Sequence, residues 1–189
     1  MKKLRILVDM DDTIEYLLMA WIDCLNKRHG ASVNWQEIRE WSIPAVYPML
    51  TRGQVFAPLL EDDFWKTVKP IDGAAEVLEW AIREGHEVYI VTASAYETIK
   101  SKMDNVLFHY FPFISWSNVI IASNKQMIRG DILIDDAPHN LVNGPYVKVL
   151  MTAPHNINYD ASRNQMIRVH TWEEVKDCIV KLSMLGGQN

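Results

Sequence analysis

Six short apolar segments, spread along the chain, constrain the fold more than any other feature of the sequence. Each is a nearly continuous run of residues such as Val, Ile and Leu. Runs of this kind are typical of strands that are covered on both faces of a parallel sheet. The predicted strands are Leu4–Val8, Glu87–Val91, Asn118–Ala122, Ile132–Ile134, Val147–Met151 and Ile167–Val169.

Helical patterns lie between these strands. The segment Asp72–Gly85 begins with an acid suited to a helix N-cap and ends with a glycine suited to the position after a helix. Thr171 and Glu174 have the spacing of a capping box, which predicts the start of a last helix. The alternation of strands and helices predicts an α/β fold, built as a doubly wound parallel sheet.

One long stretch breaks this alternation. Between Glu15 and Lys69 the sequence has helical stretches and turn signals but no convincing buried strand. At about 55 residues this stretch is too long for a simple connection between two strands. We therefore expect a small helical cap, residues 15–69, inserted after the first strand of a core made of residues 1–14 and 70–189.

Composition excludes several classes of protein. With 19 Lys and Arg against 24 Asp and Glu, the net charge is −5, so no general basic surface favours a nucleic-acid polymer. No segment has the ~20 apolar residues that a membrane span needs, and the short apolar run near the start is no signal peptide. Cys24 and Cys178 lack CxxC spacing, which favours a reducing compartment, so we expect a cytoplasmic protein. A homodimer is left open.

Polar side chains follow the predicted strands at the ends where open α/β sheets bind ligands. They are Asp9, Asp11, Asp12, Thr92, Lys125, Asp135 and Asp136. So many carboxylates repel one another unless a cation lies among them, and oxygen ligands with open positions favour Mg²⁺. A lysine and a hydroxyl beside the cation suit the oxygens of a phosphate. The sequence therefore predicts a magnesium site that handles phosphate.

Four motifs in this order resemble those of the haloacid dehalogenase-like phosphatases. Residues 9–13, Asp-Met-Asp-Asp-Thr, match the DxDxT signature of that superfamily. Thr92 and Lys125 resemble its second and third motifs, and the pair Asp135–Asp136 resembles the fourth. Each motif follows a predicted strand, which makes the set far more specific than DxDxT alone.

The resemblance extends to the 5′(3′)-deoxyribonucleotidases, over roughly residues 4–180. It is carried by three further segments, Phe64–Ala74, Thr152–Asn156 and Val169–Trp172. Two positions depart from the animal enzymes: Ala137 replaces an arginine, and Leu17 replaces an aromatic residue early in the first helix. Both positions bear on substrate recognition. The resemblance thus implies a phosphatase that acts on small phosphomonoesters, the deoxyribonucleoside monophosphates. The two departures imply that its substrate-binding surface differs from that of the animal enzymes.

Roles follow for the motif residues. We expect Asp9 to be the nucleophile that forms an aspartyl-phosphate, and Asp11 to act as general acid and then general base. The resemblance implies that the Asp9 side chain, the Asp11 backbone carbonyl and an acid of the last motif hold Mg²⁺. Asp136 is the expected direct ligand and Asp135 its neighbour. The expected phosphate-binding residues are Thr92, Lys125 and, through its backbone N–H, Ala93.

Seven tryptophans are a high number for 189 residues. Trp80 and Trp172 lie on predicted core helices, where packing is the expected role. In the cap, flat apolar side chains suit a nucleobase as leaving group. We expect at least one of Trp41, Tyr47 and Trp65 to contact such a base, with Trp41 first.

Alternative functions fit part of the pattern. A phosphatase of the same superfamily that acts on a sugar phosphate or another small phosphoester is the closest. A receiver-like signalling domain also gathers acids, a threonine and a lysine, but it has no counterpart of the cap or of Asp135–Asp136. A third alternative is a non-catalytic binder of a nucleotide or Mg²⁺, although no motif residue is missing.

Overall fold

The computed structural model describes residues 2–40 and 42–185. Within these residues six parallel strands form one sheet in the order β3-β2-β1-β4-β5-β6, which confirms the predicted α/β class. The strands are β1 (Arg5–Val8), β2 (Glu87–Thr92), β3 (Val119–Ile121), β4 (Ile132–Asp135), β5 (Val147–Met151) and β6 (Ile167–Val169).

Helices cover both faces of the sheet. They are α1 (Leu17–His29), α2 (Ile43–Val46), α3 (Arg52–Phe56), α4 (Asp62–Trp65), α5 (Ala74–Arg83), α6 (Tyr96–Lys102), α7 (Phe108–Tyr110), α8 (Pro138–Leu141) and α9 (Trp172–Leu185). A π-helical turn, Met103–Leu107, joins α6 to α7. The Asp72 side chain does not cap α5 as predicted, because Gly73, with φ 81°, occupies the N-cap position.

The sheet is apolar on both faces, as the strand sequences predict. Ile6 and Val8 of β1 belong to a buried cluster with residues of α5 and α9. Leu7, between them, points to the opposite face and packs in a cluster with Leu141 and Leu150. This alternation explains the continuous apolar runs, because each face of the sheet needs its own apolar side chains.

The strand order reverses at β1, which lies between β2 and β4. Val8 of β1 pairs with Ile134 of β4, so the carboxyl ends of these two strands lie side by side. The Asp9 backbone N–H extends the ladder by donating to the Ile134 carbonyl at 2.9 Å. The acids that follow β1 and β4 are thereby brought to one point, where such folds bind ligands.

Residues 17–40 and 42–65 form a helical layer around a second hydrophobic cluster, to which Val68 and Val106 also contribute. Two short chain segments connect this layer to the sheet and pair with each other. The Tyr16 N–H donates to the Lys69 carbonyl at 2.9 Å, and the Ile71 N–H donates to the Ile14 carbonyl at 2.8 Å. These two paired segments, called the crossing below, lie at the ends of the predicted cap, residues 15–69. That the cap is a separate domain stays a prediction. Across the described part of the chain, no helix has the length and apolar character of a membrane span.

Candidate active site

A tight turn directly after β1 presents the first group of acids. The Ile14 N–H donates to the Met10 carbonyl at 2.9 Å, which folds residues 10–14 into this turn. Asp12 has φ 49°, a left-handed conformation that aspartate tolerates, and its Oδ1 accepts a hydrogen bond from the Leu18 N–H at 3.0 Å. Asp12 therefore tethers the start of α1. The Trp172 indole N–H donates to the Thr13 carbonyl at 2.9 Å and ties the turn to α9.

Asp9 pairs with Lys125, which the sequence analysis expects at the phosphate. The Lys125 Nζ lies 2.5 Å from Asp9 Oδ1 and 2.7 Å from Asp135 Oδ2, and its side chain is almost completely buried. Burial, helped by the charges of Asp135 and Asp11, raises the pKa of Asp9 to about 7 against the lowering effect of Lys125. Burial lowers the pKa of Lys125, but the two carboxylates outweigh it and the net shift is upward. Lys125 thus stays charged between two acids.

The two acids of the last motif have different surroundings. Asp135 accepts hydrogen bonds from Lys125, from the Ala137 N–H at 2.8 Å and from the Asn140 amide at 3.1 Å. The Asp136 side chain is fully buried, yet its Oδ1 has no hydrogen-bond partner among the described residues. Burial and the charges of Asp135 and Asp9 raise the pKa of Asp136 well above its usual range. The carboxylate oxygens of Asp135 therefore already accept hydrogen bonds, whereas Asp136 has an oxygen free for a cation.

A cation fits this group of acids. Carboxylate oxygens of Asp9, Asp135 and Asp136 all lie within 4.8 Å of one another, and all three residues are buried. A second group shares one member with the first: Asp12, Asp136 and His155 also place ligand atoms within 4.8 Å. Because an isolated carboxylate in a dry site is costly, the orphan oxygen of Asp136 is the feature that a divalent cation would satisfy.

Lys102 is a site residue that the sequence reasoning missed. Its buried Nζ lies 2.5 Å from Asp11 Oδ1, 3.0 Å from Ser94 Oγ and 3.4 Å from Thr92 Oγ1. Burial lowers the pKa of Lys102, but Asp11 and Glu15 raise it and the net shift is upward. Burial also acts to raise the pKa of Asp11, yet Lys102 lowers it overall. Each of the two acids of the DxD motif thus has its own lysine.

The sequence holds a weak signal for Lys102. Thr98, Lys102 and Val106 follow one another at helical spacing, and all three are buried. A lysine on such a face needs an ionic partner, because burying an unpaired charge is unfavourable. The neighbouring Lys100 is exposed and pairs with Asp104, so the two lysines are distinguished by helix face alone. The π-helical turn follows Lys102 directly, and such turns recur at functional sites.

Glu15 is a further buried acid near Asp11. Its side chain is completely buried, and its Oε1 lies 3.6 Å from the Lys102 Nζ. Burial raises the pKa of Glu15 well above its usual range, and the opposing effect of Lys102 is too small to reverse this. Glu15 also pairs with Pro70 at the crossing between helical layer and sheet. It thus links the site to that crossing.

The end of β2 supplies neutral groups to the site. Thr92 is fully buried, and its hydroxyl lies 2.8 Å from the Ser94 hydroxyl. Ala93 and Ser94 line a pocket that also reaches Asp11 and Lys102. The predicted Thr92 and Ala93 therefore lie beside the acids, and Ser94 adds a hydroxyl that the sequence reasoning did not include.

The pocket is a cavity of about 370 Å³ between the sheet and the helical layer. Its polar end contains Asp11, Asp12 and Lys102. Its other walls are apolar and come mostly from the helical layer: Leu17, Leu18, Trp21, Ile43, Phe56, Leu59, Leu60 and Trp65. The indole N–H groups of Trp21 and Trp65 donate to the backbone carbonyls of Val55 and Leu59. The cavity therefore joins a charged end to an apolar chamber.

Four residues are predicted to lie at the substrate, and the structure places them differently: Leu17, Trp41, Tyr47 and Trp65. Leu17 and Trp65 line the chamber, and the Lys102 Nζ lies 5.6 Å from the centre of the Trp65 ring. Tyr47 does not line it: this side chain is completely buried, and its hydroxyl donates to Asn26 Oδ1 at 2.9 Å. Tyr47 is apolar enough to pack inside the helical layer, where Asn26 satisfies its hydroxyl. Trp41 lies outside the described residues.

Comparisons with known proteins cover nearly the whole chain. The family model "5′ nucleotidase, deoxy (Pyrimidine), cytosolic type C protein" matches residues 2–185. The 5′(3′)-deoxyribonucleotidase of Bacillus subtilis (strain 168) is 35% identical over 178 residues, 93% of this chain and 98% of that protein. The 5′(3′)-deoxyribonucleotidase of Clostridium acetobutylicum is 31% identical over 176 residues, 93% of this chain and 94% of that protein.

Solved structures support the fold. A haloacid dehalogenase-like hydrolase from Streptococcus pneumoniae has a TM-score of 0.66 at 15% identity, over 94% of this chain and 98% of that one. A hydrolase of the same superfamily from Deinococcus radiodurans, solved with phosphate and sodium, has a TM-score of 0.63 at 16% identity, over 94% and 95%. The strand order, the acids at the reversal point and the full-length match agree. This chain therefore belongs to the family of the 5′ nucleotidase, deoxy (Pyrimidine), cytosolic type C proteins, which are phosphoric monoester hydrolases, and it has the fold of the haloacid dehalogenase-like hydrolases.

Proposed function

We propose that the protein is a magnesium-dependent phosphatase of deoxyribonucleoside monophosphates that works through an aspartyl-phosphate on Asp9. The observation that carries the proposal is that Asp11 and its partner Lys102 line the charged end of an apolar chamber, and that Asp9, two residues before Asp11, pairs with Lys125. The names of the Bacillus and Clostridium relatives point to the same substrate class.

Two steps account for the reaction. In the first, an Asp9 carboxylate oxygen bonds to phosphorus, the ester P–O bond breaks, and the leaving oxygen takes a proton from Asp11. In the second, Asp11 accepts a proton from water, whose oxygen attacks phosphorus and releases Asp9 and inorganic phosphate. Lys125, Lys102 and the Thr92 hydroxyl hold the charge of the phosphoryl group throughout.

Mg²⁺ would be held by the Asp9 side chain, the Asp11 backbone carbonyl and Asp136. The orphan oxygen of Asp136 supports its role as the direct ligand, and the filled hydrogen-bond shell of Asp135 supports a role in holding Lys125. When bound, Mg²⁺ would supply positive charge to the phosphoryl oxygens and favour the ionised form of Asp9.

In this proposal the helical layer acts as a cap over the site, and the cap comprises residues 15–69. Its apolar walls, including Leu17, Phe56 and Trp65, would receive the base and exclude water from the charged end. A sugar phosphate is the alternative substrate, but its hydroxyl groups would find few partners on these apolar walls. A cytoplasmic location is part of the proposal and is supported by the two free cysteines.

A substrate panel tests the proposal. Phosphate release would be measured with Mg²⁺ or EDTA from deoxyribonucleoside 5′- and 3′-monophosphates, ribonucleotides and sugar phosphates, for the parent and for Asp9→Asn. We expect magnesium-dependent release, highest for the deoxyribonucleotides, that Asp9→Asn abolishes. Faster release from sugar phosphates would reject the substrate class, and an active Asp9→Asn variant would reject the nucleophile.

A further inference from the structure

A short loop after β5 contacts Asp136. This loop, Thr152–Asn156, is one of the segments that carry the resemblance, lies outside the four motifs and contains His155. The His155 Nε2 lies 2.8 Å from Asp136 Oδ2, and both side chains are almost completely buried. The contact therefore involves the one acid of the last motif that retains a free oxygen.

We propose that His155 is a positioning residue that fixes the Asp136 carboxylate in the orientation that binds Mg²⁺. The inference rests on the proposed function, because it takes Asp136 as the magnesium ligand. His155 holds Oδ2, which leaves Oδ1 for the cation. Residues that hold a metal ligand in this way tune metal affinity without touching the metal.

The loop is built to keep His155 in place. The Asn156 amide donates to the Asp136 carbonyl at 2.7 Å and to the Met151 carbonyl at 2.8 Å, so the residue after His155 is fastened to the backbone of Asp136 itself. The Ala153 N–H donates to Asn156 Oδ1 at 3.2 Å and closes the loop on itself.

Arg168, a residue of β6 and not of the loop itself, also holds the loop in place. Its guanidinium donates to the Asn156 carbonyl at 3.1 Å, to Asn156 Oδ1 at 3.1 Å and to the Tyr159 carbonyl at 2.7 Å. Because the guanidinium and the amide together hold the loop, the backbone that carries His155 cannot move away from Asp136 without breaking several hydrogen bonds.

The choice of histidine suits this role. A lysine beside Asp136 would compete with Mg²⁺ for the carboxylate, as Lys125 already does for Asp135. An uncharged imidazole can donate one N–H to the carboxylate and leave its negative charge for the cation.

Isothermal titration with Mg²⁺ in the absence of substrate tests the inference, because it needs no turnover. His155→Gln keeps a nitrogen near the position of Nε2, whereas His155→Asn is too short to reach Asp136. We expect His155→Asn to weaken Mg²⁺ binding by about 10–100-fold and His155→Gln to stay close to the parent. His170→Asn, at an exposed histidine, is the matched control and should bind like the parent.

Circular dichroism and the unfolding temperature without Mg²⁺ would check that each variant is folded. Parent-like affinity in folded His155→Asn would overturn the inference and leave the proposed function standing. Weakened binding in His155→Gln equal to that of His155→Asn would also overturn it. Two Mg²⁺ per parent chain, falling to one in His155→Asn, would make His155 a metal ligand instead. A parent that binds no Mg²⁺ would reject the magnesium site of the proposed function itself.

Discussion

At the scale of single residues, the site gives different pKa values to two acids, Asp9 and Asp11, that lie two positions apart in sequence. Asp9 faces Lys125 and has a pKa raised to about 7 by burial, whereas the pKa of Asp11 is lowered because Lys102 outweighs burial. Both values describe the site without a cation, and Mg²⁺ beside Asp9 would lower the pKa of that acid. The two lysines thus give neighbouring aspartates different environments. Without Mg²⁺ and substrate the two shifts run opposite to the proposed roles, because a nucleophile must be ionised and a general acid must carry a proton, so those roles require both ligands to be bound.

Lys102→Met should reduce kcat by roughly 10²–10³-fold, the loss seen when one group that stabilises transition-state charge is removed. Methionine keeps the length of the side chain but leaves Asp11 and the phosphoryl group without their cation. Steady-state kinetics with a deoxyribonucleotide would measure the loss. Lys100→Met, on the exposed face of the same helix, should keep the parent rate. Equal activity in the two variants would remove Lys102 from the site.

The two acids of the last motif should respond differently to the same change. Asp136→Asn should abolish Mg²⁺ binding in a titration, because it removes the charge of the proposed ligand. Asp135→Asn should retain Mg²⁺ binding but lower kcat, since Lys125 loses one of its two carboxylates. The reverse pattern would exchange the roles of the two residues.

At the scale of secondary structure elements, the strands follow from the sequence. All six predicted strands are present, each end within one residue of its prediction, because strands covered on both faces must be apolar throughout. The acids, Thr92 and Lys125 could also be predicted to converge, since parallel strands bring their carboxyl ends to one edge.

Side chains brought in by helices and loops could not be predicted in this way. Lys102 looks like any surface lysine until the face of α6 that meets the site is known. His155 gains its position from hydrogen bonds of Asn156 and Arg168, which are remote in sequence from Asp136. Tyr47 is a residue type that suits a base contact, but its hydroxyl donates to the Ile22 carbonyl and to Asn26 Oδ1 of α1, which holds the ring inside the helical layer.

Phe56 lies on the wall of the chamber and is the aromatic residue of α3. Its ring centre lies 5.1 Å from that of Trp21 at 58°. Phe56→Leu should raise KM for deoxyribonucleotides about tenfold, because stacking on a base contributes about 1–3 kcal/mol. The kcat/KM for a small phosphoester without a base should stay unchanged. Trp116→Leu, at an exposed site near β3, is the control.

An equal loss for both kinds of substrate in Phe56→Leu would indicate a disturbed helical layer. An unchanged KM for deoxyribonucleotides would show that this wall does not contact the leaving group.

At the scale of the whole molecule, the sheet and the segments that follow its strands, including α6, supply the charged groups, and the helical layer supplies most of the apolar walls. They meet around a cavity and are connected by only two paired chain segments, at residues 14–16 and 69–71. The acids at this meeting point make the stability of the protein depend on pH and on Mg²⁺.

Without Mg²⁺, stability should fall as the pH rises through about 7. The folded-state pKa of Asp9 is raised from 3.8 to about 7, so its contribution is fully present below about 3.8 and is lost as the pH passes the folded value. Mg²⁺ needs ionised carboxylates, so the rise in unfolding temperature that it causes should be larger at about pH 8 than at about pH 6. Thermal unfolding with EDTA and with Mg²⁺ would measure both effects.

Asp136→Asn is the control for this dependence and should lose the effect of Mg²⁺ on the unfolding temperature at either pH. A Mg²⁺ effect that shrinks as the pH rises would contradict the account of the buried acids.

The central claim is that the phosphoryl group passes through Asp9. The most direct measurement mixes the protein with a deoxyribonucleotide and Mg²⁺, quenches the mixture in acid during the first turnover and locates the phosphoryl group by peptide mass spectrometry. The account predicts a phosphorylated peptide that carries the modification on Asp9 and is absent in Asp9→Asn. A phosphoryl group on another residue, or rapid turnover without any phosphorylated peptide, would contradict it.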